Sequence, residues 1–168
     1  MNENTRNQTF GILLFGAAAA CGEAAAEPAW VEVSGTGTHY FSTALVHSTS
    51  EEAGVTLQRS TDTVELEGDL RGRVLYHPVT RIDPVAGTLV NTGHQVFSGT
   101  VLGSEPVLVA DQSFRFEVQL ATGHTTGRVH LETLLAGPEV ECELDIDDAG
   151  QRAENGDATF RYTGRCRF

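Results

Sequence analysis

Six histidines and three cysteines are the residues of this chain best suited to chemistry, and their placement limits what they can do. His39, His47, His77, His94, His124 and His130 are scattered over different segments. Even His39 and His47, which share parity in one predicted strand, would lie about 26 Å apart at roughly 3.3 Å per residue, too far to hold one metal. Each histidine is therefore read as solvated or held by a single hydrogen bond. The run Asp145-Ile146-Asp147-Asp148-Ala149-Gly150 has the acidic and glycine spacing of a calcium loop, but Ala149 and Gly156 stand where oxygen ligands are required. It reads as a solvated acidic hairpin end. The chain has no Gly-x-Ser-x-Gly elbow, no His-Glu-x-x-His, no Cys-x-x-Cys and no phosphate-cradling loop with lysine. All 11 basic residues are arginine, which removes Schiff-base chemistry and a lysine-bound pyridoxal. No metal or cofactor is expected, and no catalytic residue is assigned.

The cysteines are more informative. Three is an awkward count for an exported chain, since one thiol is left over. Residues 10–20, Phe-Gly-Ile-Leu-Leu-Phe-Gly-Ala-Ala-Ala-Ala, carry no charge and fit the apolar core of a signal peptide. They fall well short of the ~20 residues a membrane-spanning helix needs. Ala18-Ala19-Ala20 before Cys21 resembles a bacterial lipobox, in which the cysteine is acylated and becomes the mature N-terminus. The expectation is a signal peptide over 1–20, a lipidated Cys21, a tether over 21–29, and a folded domain over 30–168. Gly22 after the cysteine implies the outer membrane of a Gram-negative envelope; the alternative is plain secretion. An oxidising compartment then lets Cys142 and Cys166 pair.

The remaining bulk properties exclude partners. With 168 residues the chain has room for one domain with a real core. Its 23 acidic residues give a net charge of -12, which argues against nucleic acid and against an anionic membrane face. Any membrane contact is expected through the N-terminal lipid alone.

From Trp30 onward the apolar residues recur with period two between Gly, Pro, Asn and Asp, and helical periodicity is nearly absent. Phe114, Phe116, Val118 and Leu120 alternate with Ser113, Arg115, Glu117 and Gln119. Val64 and Leu66, then Leu70, Val74 and Tyr76, then Val129 and Leu131, alternate in the same way. Further strands are expected at 30–33, 38–48, 55–59, 94–102, 139–147 and 159–168. Roughly eight to ten such strands predict an all-β domain, a single antiparallel barrel or, alternatively, a sandwich; closure shields the strand edges and favours the barrel.

The last two strands fix their own register. Val140, Cys142, Leu144 and Ile146 share one face, and Phe160, Tyr162, Gly164, Cys166 and Phe168 share one face of the next. Setting Cys142 opposite Cys166 also sets Glu141 against Arg167, Glu143 against Arg165, and Asp147 against Arg161. It brings Ile146 to Tyr162 and Val140 to Phe168. A slip of one residue would oppose apolar and charged side chains.

Two segments carry a resemblance. Val64-Glu-Leu-Glu-Gly-Asp-Leu-Arg-Gly and Gln95-Val-Phe-Ser-Gly-Thr-Val-Leu-Gly-Ser, followed by the apolar strand from Phe114, resemble the allene oxide cyclase-like and dirigent-like β-barrels and their bacterial relatives. The resemblance covers residues 34–135 and implies a barrel around a mostly apolar cavity that binds, or in some members cyclises, hydrophobic small molecules. It carries no catalytic residue to this chain. Parity independently places Tyr76, Gln112, Phe116 and Tyr162 on inward faces, where the polar ones would orient a ligand. The expected function is an exported, lipid-anchored barrel that binds a small apolar ligand or serves as an envelope interaction module. A cyclase or isomerase using the cavity, without metal or strong nucleophile, is one alternative; a structural barrel filled by its own side chains is the other. A hollow of roughly 300 Å³ or more separates the first two from the last.

Overall fold

The computed structural model describes residues 28–168, so the signal segment, Cys21 and most of the tether lie outside the described residues. Ten strands follow in order: β1 (Val31–His39), β2 (Leu45–Glu52), β3 (Val55–Gly68), β4 (Leu70–Asp83), β5 (Thr88–Val101), β6 (Val107–Gln119), β7 (Thr125–Leu131), β8 (Thr133–Ala136), β9 (Glu141–Asp148) and β10 (Ala158–Arg167). Eight of them close an antiparallel barrel in the order β1-β10-β9-β7-β6-β5-β4-β3, and β3 returns to β1 from Gly35↔Gly68 to His39↔Val64. The barrel rather than the sandwich is formed. β2 pairs with the first half of β3 and β8 with β6, both outside the closed ring.

One end of the barrel is filled. Leu70, Phe97, Val101, Val107, Val109 and Leu131 pack there with Val33 and the Cys142–Cys166 disulfide. Alternation explains the assignment: each of these residues stands at an inward parity of its strand, and burial of the apolar set against water drives closure. The two half-cystines oppose one another in the β9–β10 ladder with Cα atoms 4.1 Å apart, and both are fully buried. The expected register holds from Arg161↔Asp147 to Arg167↔Glu141, with Tyr162 opposite Ile146. Arg167 binds Glu141 and Arg165 binds Glu143, and both guanidinium groups also cover the Trp30 ring.

Three details of that hairpin differ from expectation. Asp147 hydrogen-bonds His124 at 2.8 Å rather than Arg161, because Asp147 also neighbours β7 on its other side, opposite Thr126. The ladder ends at Glu141 and Arg167, so Phe168 is exposed and does not meet Val140. The acidic end is only partly solvated: Asp148 is buried, accepts the Gly150 N–H at 2.8 Å, and pairs with Arg152.

Tyr162 ties β10 to the β3–β4 turn. Its hydroxyl accepts the Leu70 N–H at 2.8 Å and faces the carbonyl oxygens of Glu67 and Leu70. Gly35 leaves room for it: a Cβ there would collide with the Tyr162 hydroxyl and the Glu67 carbonyl.

The predicted continuous strand over 38–48 is broken. After β1 the chain turns through a short 3-10 segment, Phe41–Thr43, before β2 begins. Asp157 holds that turn, accepting the Ser42 N–H at 2.8 Å and its hydroxyl at 3.1 Å. His39 and His47 therefore belong to different strands, and the turn sets Phe41 at the open end of the barrel.

Candidate functional site

The end of the barrel opposite the disulfide is hollow. A cavity of about 380 Å³ lies within it, walled by inward side chains of β1, β3, β4, β5, β6, β7, β9 and β10. Val64, Leu66, Val74, Phe116, Val129 and Leu144 make most of the lining apolar. Phe41 and Arg152 stand at its mouth, with the Arg152 guanidinium 5.4 Å from the Phe41 ring centre.

Of the four residues expected to contact a ligand, Tyr76 and Phe116 meet in the wall. Tyr76 is buried on β4 and lies between Phe114, stacked at 4.5 Å, and Phe116, edge-on at 6.0 Å. Tyr162 also borders the hollow, but its hydroxyl is engaged with the β3–β4 turn. Gln112 is exposed and outside the cavity. The outward placement of Gln112 has a local cause. Gly93 pairs with Phe114 and Gln95 with Asp111, so β6 carries one extra residue against β5. This β-bulge reverses parity, turning Gln112 and Ser113 outward and Asp111 inward.

The bulge makes Asp111 an internal bracket. Its Oδ1 accepts the Ser113 N–H at 2.8 Å, and its Oδ2 accepts the His130 N–H at 3.1 Å and the Gln95 amide at 3.2 Å. On the neighbouring strands Thr80 donates to Asn91 at 2.7 Å. These polar groups satisfy one another.

His39 and Asp62 form a different kind of pair. Asp62, inward on β3 and 6% exposed, stands opposite Tyr76. Its Oδ2 lies 3.2 Å from His39 Nε2, which donates to the carboxylate. Its Oδ1 is buried with no hydrogen-bond partner among the described residues. Leaving such an acceptor unsatisfied costs about 1–3 kcal/mol. The His39 ring stacks on Phe41 at 3.7 Å, meets Tyr76 edge-on at 5.4 Å, and lines the cavity. Burial and the Asp62 charge push the Tyr76 phenol well above its usual pKa of 10.0, opposed by a hydrogen bond with Asn91. Tyr76 thus stays protonated at any ordinary pH.

Sequence parity alone does not isolate this group. Asp62 shares the inward parity of Ser60, Val64 and Leu66, and a carboxylate within such a run was the available signal. His39 is obscured because the break at Tyr40 is not marked by Gly or Pro. Among the described residues no cluster of three metal-ligating side chains exists.

No protein-family profile, curated protein or solved structure matches this chain.

Proposed function

We propose that this barrel is a carrier for a small, neutral, predominantly apolar molecule, exported and held at the cell envelope through a lipid on Cys21. The observation that supports it is the hollow itself: about 380 Å³ at one end of a barrel whose other end is packed solid. That volume falls in the range of small-molecule pockets, and its wall is apolar with a few polar groups, as such pockets are. The buried carboxylates Asp62, Asp111 and Asp148 disfavour an anionic ligand. The likeness of residues 34–135 to allene oxide cyclase-like and dirigent-like barrels agrees with an apolar guest.

Native mass spectrometry of the full chain, extracted from membranes in mild detergent, tests the carrier. We expect a co-purifying mass that is absent from Val74→Trp, whose indole projects from β4 into the hollow. An unliganded wild-type protein that also fails to bind an environment-sensitive naphthalene dye would refute it. The anchor is tested separately: Cys21→Ser should move the protein from the detergent phase to the aqueous phase, and unchanged partitioning removes the lipid.

A further inference from the structure

We propose that His39 transfers a proton within the bound guest while Tyr76 donates a hydrogen bond to its carbonyl, making the cavity an isomerase site for a neutral, apolar β,γ-unsaturated carbonyl compound. This rests on the ligand-binding proposal above and gives it a substrate class.

The pairing with Asp62 fixes the histidine tautomer. With Nε2–H donated to the carboxylate, the lone pair of the neutral imidazole resides on Nδ1. Nδ1 has no hydrogen-bond partner among the described residues, and it is not one of the side-chain atoms sealed from solvent. The ring is held by the Phe41 stack and borders the hollow. An oriented base with a free lone pair at an apolar pocket wall is the arrangement general base catalysis needs. Asp62 touches no guest and is a positioning residue. The groups facing His39 are Asp62 from β3 and Tyr76 from β4, with Asp157 beyond the Phe41 turn.

Tyr76 supplies the complementary part. It keeps its proton and borders the same hollow edge-on to His39; the Asn91 amide donates to its oxygen, which leaves the O–H as a donor toward charge developing on a carbonyl oxygen. Thr80 and Asp111 are occupied with other protein groups, and neither lines the hollow.

The step balances without a co-reactant. Nδ1 removes a proton from the carbon between the carbonyl and the alkene. The C–H electron pair becomes a carbon–carbon π bond, and the carbonyl π pair moves onto oxygen, which accepts a hydrogen bond from Tyr76. Nδ1–H then returns its proton to the γ carbon as the carbonyl re-forms. The double bond has moved from β,γ to α,β, and nothing is oxidised or reduced.

The test uses the full chain and a series of straight-chain β,γ-unsaturated ketones of increasing length in deuterium oxide. Binding is read from shifts of the Tyr76 and Phe116 ring protons, and turnover from the α,β-unsaturated product and its deuterium content. Expected results are product formation above buffer, and a loss of about a hundredfold or more in His39→Gln, the range general base catalysis supplies. Asp62→Asn should lower kcat with KM little changed. Tyr76→Phe, which removes one hydroxyl and keeps the aromatic packing, should also lower kcat and guards against a folding defect in the other variants. A ketone that shifts the ring protons yet isomerises no faster than in buffer overturns the proposal while leaving the carrier standing. So does undiminished turnover in His39→Gln. If no ketone binds but a native guest still co-purifies, only the isomerase falls; if neither is found, both do.

Discussion

Removal of the Cys142–Cys166 crosslink is the most quantitative perturbation the structure offers. The cysteines are 24 positions apart, so the bond closes a loop of about 25 residues in the unfolded chain. The chain-entropy relation converts that length to a contribution of roughly 3.5 kcal/mol at 25 °C. Cross-strand ion pairs on the same hairpin contribute only a few tenths each, since Glu143 and Arg165 are substantially exposed. Urea unfolding of Cys142→Ala/Cys166→Ala, beside wild type and reduced wild type, measures the difference. With a urea dependence of roughly 2 kcal/mol/M for a domain of this size, the midpoint should fall by about 1.7 M. Reduction keeps both sulfur atoms in the core, so the reduced protein isolates the crosslink from lost packing. Arg165→Ala should shift the midpoint by no more than about a tenth of that. A reduced protein unfolding within about 0.3 M of the oxidised one would refute the loop-closure account.

Two further predictions concern the polar framework. Tyr162→Phe leaves the buried Leu70 N–H without its acceptor and should lower stability by about 1–3 kcal/mol in the same urea assay, although every apolar contact is kept. His77 stacks on His94 at 4.8 Å and reaches His47 through Thr61; burial, then His94 and His47, lower its pKa from 6.5, against an opposing pull from Asp62. Because the folded value lies below the unfolded one, His77 contributes stability that is complete above pH 6.5 and is lost as pH falls through the folded value. His77→Gln should flatten that part of the pH–stability curve, and an NMR titration of His77 with an ordinary midpoint would contradict it.

Much of this fold was legible because strand alternation is a direct record of which side chains leave water. The β9–β10 register is the clearest case: thiols, charges and apolar residues all favoured one alignment, and the ladder adopts it. Legibility stopped where the period itself changes. The extra residue in β6 inverts parity between Asp111 and Phe114, so unbroken alternation puts Gln112 on the wrong face and hides Asp111, which is interior. Asp147 kept its predicted position but took His124 as a partner, because a strand interior to a barrel has two neighbours and the hairpin alone reveals one. Of the cavity, Tyr76 and Phe116 could be read from alternation. His39 and Asp62 could not, since their meeting depends on where β3 closes against β1.

That closure also gives the molecule a direction. β1 begins beside the disulfide, where Val31 faces Cys166, and ends at the hollow, where His39 faces Ala158. Nine residues at about 3.3 Å each, inclined by roughly 40° to the axis, separate the two levels by some 20 Å. Anything fastened ahead of Val31 therefore holds the barrel by its solid base, and the aperture looks away from the attachment point. Were the proposed lipid on Cys21 to hold the chain at a membrane, a guest would be exchanged with the medium or with a facing partner, not drawn straight out of that membrane.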